Sequence, residues 1–150
     1  MSQTTQTSSV PPYVTKTMKA ILRSPLHGMV SKTVLLITFT GRKSGKIYTT
    51  PVDYSQDGDQ VYIFTHASWW KNLRGGASVT LRIRGREVQG IAEPVAGDKQ
   101  AIAAGLREHL RKVRSDAKYY EVTFDENGNP KPEDVEKAAQ SAVMIRIRLC

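Results

Sequence analysis

The sequence predicts a mainly β fold with peripheral helices, an α+β arrangement in which antiparallel strands close into a small Greek-key barrel. Short segments of alternating or β-branched residues follow one another from Val34 onwards, separated by glycine and aspartate turn signals. Helical spacing of apolar residues occurs only between these segments. A last alternating segment, from Ala142 to Leu149, indicates that the chain finally returns to the sheet.

Six strands are predicted, over residues 32–40, 46–54, 60–66, 78–84, 86–95 and 142–149. A short helix is expected over residues 69–74, with Ser68 as its N-cap. Asp98 is expected to cap a longer helix that reaches about residue 117, and one or two helical turns are expected within residues 132–140. The apolar stripe of the longer helix is Leu106, Leu110 and Val113.

The chain of 150 residues is expected to form one domain over residues 12–150. Residues 1–11 are rich in Ser, Thr and Gln and are predicted to be a disordered tail, followed by a short helix after Pro12. No apolar run approaches the roughly 20 residues that span a bilayer. The start does not resemble a secretory signal. With a single cysteine, Cys150, these features predict a cytoplasmic protein.

The net charge of +8 is unevenly distributed, because residues 1–75 hold 9 basic against 3 acidic residues. An excess of positive charge favours anionic partners such as phosphates or acidic lipid surfaces. Arg82, Arg84 and Arg86 are predicted to share one strand face, which leaves peripheral membrane contact open. Nucleic-acid binding would rest on charge alone and is not expected. Both a monomer and a homodimer remain open.

The loop Gly41-Arg42-Lys43-Ser44-Gly45-Lys46 lies between two predicted strands and is the first candidate site. Glycines allow the backbone to approach a ligand, consecutive N–H groups can form an anion-binding nest, and Lys, Arg and Ser add donors. The spacing does not match a Walker motif, and no helix follows the loop. The alternative interpretation is a solvated basic turn.

The second candidate is the strand segment Tyr48-Thr49-Thr50-Pro51-Val52. Proline cannot donate a hydrogen bond within a central ladder, so Pro51 indicates an edge, a bulge or a split in the sheet. Backbone groups exposed there would suit the heteroatom edge of a flat ring. An edge strand without a ligand is the alternative.

The third candidate is the segment from His66 to Leu73, which contains adjacent tryptophans. Neighbouring residues on a helix point in different directions, so one tryptophan is expected to anchor the helix and the other to face a cleft. A structural histidine is favoured over a catalytic one at His66. No metal-ligand spacing and no Ser–His–acid or Cys–His arrangement is recognisable in the sequence, so neither metal binding nor hydrolase chemistry is predicted.

The combination of Thr40-Gly41-Arg42-Lys43-Ser44-Gly45-Lys46, Thr50-Pro51-Val52 and Trp70-Lys71-Asn72-Leu73 resembles the deazaflavin-dependent nitroreductase family. That family belongs to the flavin/deazaflavin oxidoreductase superfamily, whose fold is the split β-barrel of FMN-binding, pyridoxamine-phosphate-oxidase-like proteins. The resemblance implies a cofactor in a groove of the barrel, usually coenzyme F420. Tyr48 stands where many members have an arginine, and FMN is therefore kept as the alternative cofactor.

The resemblance also implies roles for individual residues. A phosphate-binding loop maps to Arg42, Lys43 and Ser44, and the strand that supports the ring maps to Thr49, Thr50, Pro51 and Val52. The pocket continues through His66, Ala67 and Ser68 to Trp70, Asn72 and Leu73. His66 or a tyrosine would protonate the product, and Tyr119 and Tyr120 are candidate substrate contacts.

The implied activity is hydride transfer from reduced F420 to an electron-poor acceptor, which is a quinone, a nitro-aromatic compound or an activated alkene. The cofactor would carry the chemistry while the protein supplies position and electric field. A non-catalytic split-barrel protein that binds or carries a flavin, a haem or a lipid-like ligand is the alternative function.

Overall fold

The computed structural model describes residues 33–150. The predicted tail over residues 1–11 and the predicted helix after Pro12 lie outside this range. The strands of the described chain are β1 Val34–Thr40, β2 Ile47–Asp53, β3 Ser55–Asp57, β4 Gln60–Thr65, β5 Ala77–Ile83, β6 Arg86–Val95 and β7 Val143–Leu149. They form one antiparallel sheet with the strand order β2-β1-β5-β6-β7-β4-β3. The last strand, β7, lies between β6 and β4, which confirms the predicted return of the chain and the split β-barrel fold.

Four helical segments join these strands. They are the 3-10 helix Ser68–Leu73 (the tryptophan helix), α1 Lys99–Lys112, a second 3-10 helix Arg114–Lys118, and α2 Pro132–Ala139. Asp98 caps α1 as predicted, since its carboxylate accepts a hydrogen bond from the N–H of Ala101 at 3.1 Å. The predicted extension of α1 to residue 117 is wrong, because Val113 leaves the helical conformation at φ −123° and ψ 74°.

Two other local predictions need correction. Ser68 is the first residue of the tryptophan helix and not its cap; the N-cap is Ala67, which has no capping side chain. Thr65 instead accepts a hydrogen bond from the N–H of Ala67 at 3.0 Å, so this side chain holds the entry to the helix. Residues Ser55–Asp57, expected to lie before or within a turn, form the short strand β3.

Two hydrophobic cores cover the two faces of β4 and β7. The first core lies inside the barrel and contains Ile63, Ile145 and the tryptophan helix residue Leu73. The second core lies between the sheet and helices α1 and α2, and contains the neighbouring strand residues Phe64 and Met144. Strand side chains alternate between faces, so each of these two strands contributes to both cores.

The predicted basic face of Arg82, Arg84 and Arg86 is wrong. Arg82 pairs with Glu87 across the β5–β6 hairpin, whereas Arg86 pairs with Ile83. Directly opposed residues in an antiparallel pair share a face, so Arg86 lies on the face of Ile83 and Arg82 on the other. The two turn residues, Arg84 and Gly85, have φ values of 51° and 80°, and this turn interrupts the alternation.

Among the helices of residues 33–150, none combines the length and the apolar character needed to cross a bilayer.

Candidate functional site

Within residues 33–150, strand β2 lies at one end of the sheet, and no described strand pairs with its outer edge. The N–H of Tyr54 donates to the carbonyl of Thr33 at 2.9 Å, and the carbonyl of Lys46 accepts from Gly41 N–H at 2.7 Å. The even-numbered residues of this strand therefore direct their backbone groups towards β1. Thr49, Pro51 and Asp53 direct theirs outward, and Pro51 costs the ladder no hydrogen bond because it has no N–H to contribute.

A cleft of about 440 Å³ lies beside this open edge. The far end of β4 forms part of it, because β3 pairs only with residues 60–62 and leaves Ile63–Thr65 without a partner strand on that side. The cleft is lined by Thr50, Pro51, Val52, Asp53, Phe64, Thr65, Ala67, Trp69, Ser115, Asp116, Lys118, Tyr119 and Tyr120. Four residues from the sequence-predicted site thus lie together here: Thr50, Pro51, Val52 and Ala67.

The tryptophan that lines the cleft is Trp69, while sequence reasoning had selected Trp70. Trp69 is 3% exposed and stacks on Phe39, with ring centroids 5.2 Å apart. Trp70 is half-buried against the first core, and the Arg74 guanidinium lies 5.0 Å from its ring centroid. The short helix therefore buries one indole at the base of the cleft and places the other outside it.

The remaining predicted residues lie around the cleft without lining it. Leu73 is fully buried in the first core, and Ser68 begins the tryptophan helix. The hydroxyl of Thr49 is 2.9 Å from that of Thr38. His66 is exposed, and its ring centroid is 5.5 Å from that of Tyr119 and 5.3 Å from that of Tyr120.

The GRKSG loop is held in a tight conformation by its first glycine. A Cβ atom at Gly41 would come within 2.7 Å of the Tyr48 ring and 2.8 Å of the Ser44 hydroxyl. The Ser44 hydroxyl accepts from Lys46 N–H at 3.1 Å and is 3.3 Å from the Tyr48 hydroxyl. Gly45 has φ 71°, a conformation that favours glycine.

Arg42 attaches this loop to the tryptophan helix. Its N–H donates to the Asn72 side-chain oxygen at 3.0 Å, and its guanidinium donates to the Lys71 carbonyl at 3.2 Å. The Asn72 amide nitrogen in turn donates to the Trp69 carbonyl at 2.9 Å. A short chain of hydrogen bonds therefore connects the loop to the residue at the base of the cleft, and Arg42 and Asn72 act in docking the loop.

Lys43 and Lys46 remain exposed at the tip of the loop. Within residues 33–150, neither side chain takes part in an ion pair, and the N–H groups of Lys43 and Ser44 have no backbone acceptor. Two ammonium groups and two adjacent N–H donors are therefore presented at one place, which suits an anion.

Four polar residues that the sequence did not reveal form a buried cluster on the other side of the cleft. The His109 ring bonds to the Ser55 hydroxyl through Nδ1 at 3.0 Å and to the Asp116 carboxylate through Nε2 at 2.8 Å. Asp116 also forms a hydrogen bond with Asp53 at the end of β2. Burial, together with the charge and the hydrogen bond of Asp116, raises the pKa of Asp53 to about 7.

Tyr120 closes the wall beside this cluster. Its hydroxyl donates to the Phe64 carbonyl at 2.7 Å, which satisfies a strand group that β3 leaves unpaired. Burial raises the pKa of Tyr120 far above its ordinary value, and the nearby carboxylates add to the effect. The phenol is therefore a fixed wall of the cleft that does not ionise in the neutral range.

A weak signal for this cluster exists in the sequence. His109 interrupts the apolar stripe of α1 next to Leu110, and Asp53 and Ser55 lie on the same side of an extended segment. Asp116 approaches His109 because α1 ends at Lys112, whereas the sequence predicts a helix that reaches about residue 117. In the described part of the chain, no group of three His, Cys, Asp or Glu side chains is arranged to hold a metal ion.

The chain is similar to a known family in sequence and to solved structures in fold. The sequence model of the family described as F420H(2)-dependent quinone reductase matches residues 15–127. No curated protein matches the sequence significantly.

Several solved structures are similar to this chain at low sequence identity. A protein of unknown function from Agrobacterium tumefaciens str. C58 superposes with a TM-score of 0.53 at 11% identity, over 94% of this chain and 57% of that chain. A pyridoxamine 5'-phosphate oxidase-related, FMN-binding protein from Nostoc punctiforme PCC 73102 has a TM-score of 0.49 at 12% identity, over 93% and 81%. An F420-H2 dependent reductase, FDR-A, has a TM-score of 0.46 at 18% identity, over 77% and 94%.

The family match spans the GRKSG loop, the edge strand β2, the tryptophan helix and the segment with Tyr119 and Tyr120. It covers well over half of the chain and includes every residue that lines the cleft. The chain therefore belongs to the F420H2-dependent quinone reductase family.

Proposed function

We propose that the cleft binds the flat ring of coenzyme F420 together with a quinone-type acceptor, while the GRKSG loop holds the acidic tail of the cofactor. Membership of the family makes the chain an oxidoreductase that uses F420. One observation carries the proposal: the open edge of β2 lines the same cleft as Trp69, Tyr119 and Tyr120, and the cationic loop is docked to that cleft by Arg42 and Asn72.

The residues present suit this cofactor. A deazaflavin ring is flat and has polar atoms along its edge, and the outward-facing N–H groups of Thr49 and Asp53 can donate to such atoms. Lys43, Lys46 and the N–H groups of Lys43 and Ser44 suit the phosphate and carboxylates of the tail. FMN has a similar ring and a phosphate, and is the alternative cofactor for the same groups.

The acceptor end of the cleft is aromatic. Tyr119 is 60% exposed and contacts Tyr120 edge-to-face with ring centroids 5.0 Å apart, and both rings lie against His66. Aromatic walls favour planar apolar molecules, which include quinones and nitro-aromatic compounds. When bound, the reduced cofactor supplies a hydride and releases one proton to solvent for each hydride.

A binding titration tests the placement of the cofactor tail. Replacing Lys43→Ala and Ser44→Ala together removes an exposed ammonium group and a hydroxyl from the loop, so we expect F420 affinity to fall by about 10- to 100-fold, as charge-assisted hydrogen bonds are worth about 1.5–3 kcal/mol. The unfolding midpoint should fall only slightly, because both side chains are exposed and the loss is confined to the hydrogen bonds of the Ser44 hydroxyl with Lys46 and Tyr48. The same titration with FMN identifies which cofactor the loop prefers.

The matched control is Lys137→Ala with Ser141→Ala, an exposed pair on and after α2 that does not line the cleft. Affinity for F420 should be unchanged in this variant. Equal affinity in the loop variant and in the control would reject the GRKSG loop as the site of the tail.

Turnover is tested by mixing the protein with reduced F420 and menadione and following the absorbance of oxidised F420. Oxidation that depends on both protein and menadione is the expected result. Tight F420 binding without oxidation by menadione or by a nitro-aromatic acceptor would favour a non-catalytic carrier.

A further inference from the structure

We propose that Asp53 is the residue that protonates the reduced acceptor, and that Asp116, His109 and Ser55 return a proton to it from a second cavity. This inference rests on the proposed function, because it assigns the acid of that reaction. It begins from the position of Asp53, which lines the cleft beside Tyr119 and Tyr120 and is hydrogen-bonded to the buried Asp116.

The hydrogen bonds of the cluster have a single consistent direction. We assign Asp116, which is 8% exposed, as the common acceptor of its hydrogen bonds with His109 and Asp53. His109, which is 1% exposed, then donates through Nε2 and accepts the Ser55 hydroxyl proton at Nδ1. Two carboxyl groups share a hydrogen bond only when one of them carries a proton, and in this assignment the proton is on Asp53.

The surroundings of Asp53 favour that protonated form. Burial, the charge of Asp116 and the hydrogen bond to Asp116 together raise its pKa from 3.8 to about 7. The other titratable groups near it in residues 33–150 are His109 on α1 and Lys118, Tyr119 and Tyr120 on the segment that follows. A group with a pKa near neutrality is well matched to give up a proton at physiological pH.

Two other candidate donors, Tyr120 and His66, are less suited. The Tyr120 proton is directed at the Phe64 carbonyl, 2.7 Å away, and burial raises the pKa of this phenol. His66 is exposed and does not line the cleft. Asp53, by contrast, has a carboxyl group that lines the cleft and is hydrogen-bonded to Asp116.

The opposite end of the cluster reaches a different cavity. Ser55 and His109 line a space of about 390 Å³ between α1 and the strands β3, β4 and β7, together with Asp57, Glu108 and Lys112. Neither Ser55 nor His109 lines the cofactor cleft, and neither Asp53 nor Asp116 lines this second cavity. The four side chains therefore connect the cofactor cleft with the second cavity.

The proton transfer is balanced as follows. The acceptor gains a hydride and becomes an anion; the O–H bond of Asp53 breaks, and its proton joins the acceptor oxygen to give the neutral hydroquinone. Asp53 is left as a carboxylate beside that of Asp116, and their repulsion favours reprotonation. His109 gives its Nε2 proton to the pair through Asp116 as it receives the Ser55 proton at Nδ1, and hydronium or a protonated buffer molecule in the second cavity replaces the proton that Ser55 has lost. The imidazole then carries its proton at Nδ1, and rotation of the ring restores the Nε2 donor before the next turnover. The proton taken from the second cavity is balanced by the one that the cofactor releases for each hydride.

A cofactor-free measurement tests the shared proton. In protein labelled with ¹³C at aspartate carboxyl carbons, Asp53 should titrate near pH 7, and the Asp116→Asn variant should titrate at a lower pH. His109→Gln, which retains a donor to Asp116, should change the Asp53 titration less. A wild-type Asp53 resonance that titrates near pH 4 would overturn the proposal.

Kinetics with reduced F420 and menadione test the role in turnover. The Asp53→Asn side chain still donates to Asp116 but has no acidic proton, so kcat should fall by at least about 100-fold. The alkaline limb of the wild-type kcat profile near pH 7 should disappear. Asp59→Asn, a matched change at an exposed turn, should have the wild-type kcat and profile.

His109→Gln separates a relay from a structural role. The first turnover should remain fast, since Asp53 begins protonated, and later turnovers should be slower with a larger solvent deuterium isotope effect. Equal slowing of first and later turnovers would contradict the relay. Covalent labelling of Ser55 by a fluorophosphonate would identify a nucleophile and also contradict it.

The failures are distinguishable. Absence of turnover with any acceptor would reject the proposed function together with the catalytic role of Asp53, whereas the carboxyl titration would still report the shared proton. Normal turnover with an unchanged Asp53→Asn profile would reject the role of Asp53 and leave the proposed function standing.

Discussion

The two polar regions at the cleft differ in how they are built. The GRKSG loop and the following Lys46 form a stretch of six consecutive residues, 41–46, whose charged side chains are exposed. The cluster of Asp53, Ser55, His109 and Asp116 joins residues up to 63 positions apart, and three of its side chains are buried. The loop is a local feature with its donors in water, and the cluster exists only in the folded chain.

This difference separates binding from stability. Exposed charges contribute little to the free energy of unfolding, so the tip of the loop can change while the fold is retained. A buried pair such as His109 and Asp116 leaves an unpaired polar group when one partner is removed, which is costly. We therefore expect changes in the loop to affect cofactor affinity and changes in the cluster to affect stability and proton transfer.

The largest expected effect follows from His109→Ala. The change leaves the buried Asp116 carboxylate and the Ser55 hydroxyl without their partner at 2.8 and 3.0 Å. The free energy of unfolding should fall by about 3–5 kcal/mol, the usual cost of breaking a buried pair. Urea denaturation measures it, with the exposed His66→Ala as the matched control, expected within about 0.5 kcal/mol of wild type. A loss for His109→Ala no larger than that of the control would show that the cluster is not rigid.

Gly41→Ala tests the loop from within. Its Cβ would meet the Tyr48 ring at 2.7 Å and the Ser44 hydroxyl at 2.8 Å, so the loop must shift. Overpacking of this kind costs about 1–3 kcal/mol, and F420 affinity should fall as the loop moves.

Gly97→Ala is the control for this change, because no atom lies within 4 Å of a Cβ added there. Thermal unfolding and F420 titration of both variants give the comparison. Wild-type affinity in Gly41→Ala would show that the backbone conformation of the loop does not matter for the cofactor.

A further expected effect is the pH dependence of stability. The folded-state pKa of Asp53 is raised from 3.8 to about 7, so between these values the folded protein holds a proton that the unfolded chain has lost. Stability contributed by this group therefore falls as pH rises from about 4 to about 7, and is constant outside that window.

Asp53→Asn should remove this decline, so the variant gains stability relative to wild type as the pH rises through the window. Urea midpoints measured from pH 4 to pH 8 test the prediction, and Asp59→Asn should follow wild type throughout. Parallel curves for wild type and Asp53→Asn would mean that Asp53 has an ordinary pKa.

Much of the fold was predictable because its signals are local. Strand alternation located the β-segments to within about two residues, consistent with the usual uncertainty at element ends. Asp98 and Gly75-Gly76 act at the helix ends predicted for them. The errors occur where tertiary contacts decide: Arg82 and Arg86 were assigned one face, but the register of the hairpin separates them.

The parts of the candidate site that have a local sequence signal were predictable, and those that depend on packing were not. Pro51 indicated an edge from its missing N–H, and the structure places β2 at the end of the sheet. The choice between Trp69 and Trp70 was not predictable, because it depends on how the 3-10 helix is rotated as it packs against the barrel. The position of Leu73 in the first core depends on the same rotation.

By itself the sequence determined the antiparallel strands, the cationic loop and the open edge of β2, because each depends on the chemistry of neighbouring residues. Only the tertiary structure decided which tryptophan reaches the cleft and how Asp53, Ser55, His109 and Asp116 meet. That meeting requires α1 to end at Lys112 and the chain to fold back onto β2 and β3. Burial of Ala117 and Tyr120 in the second core stabilises this reversal, and no local pattern records it.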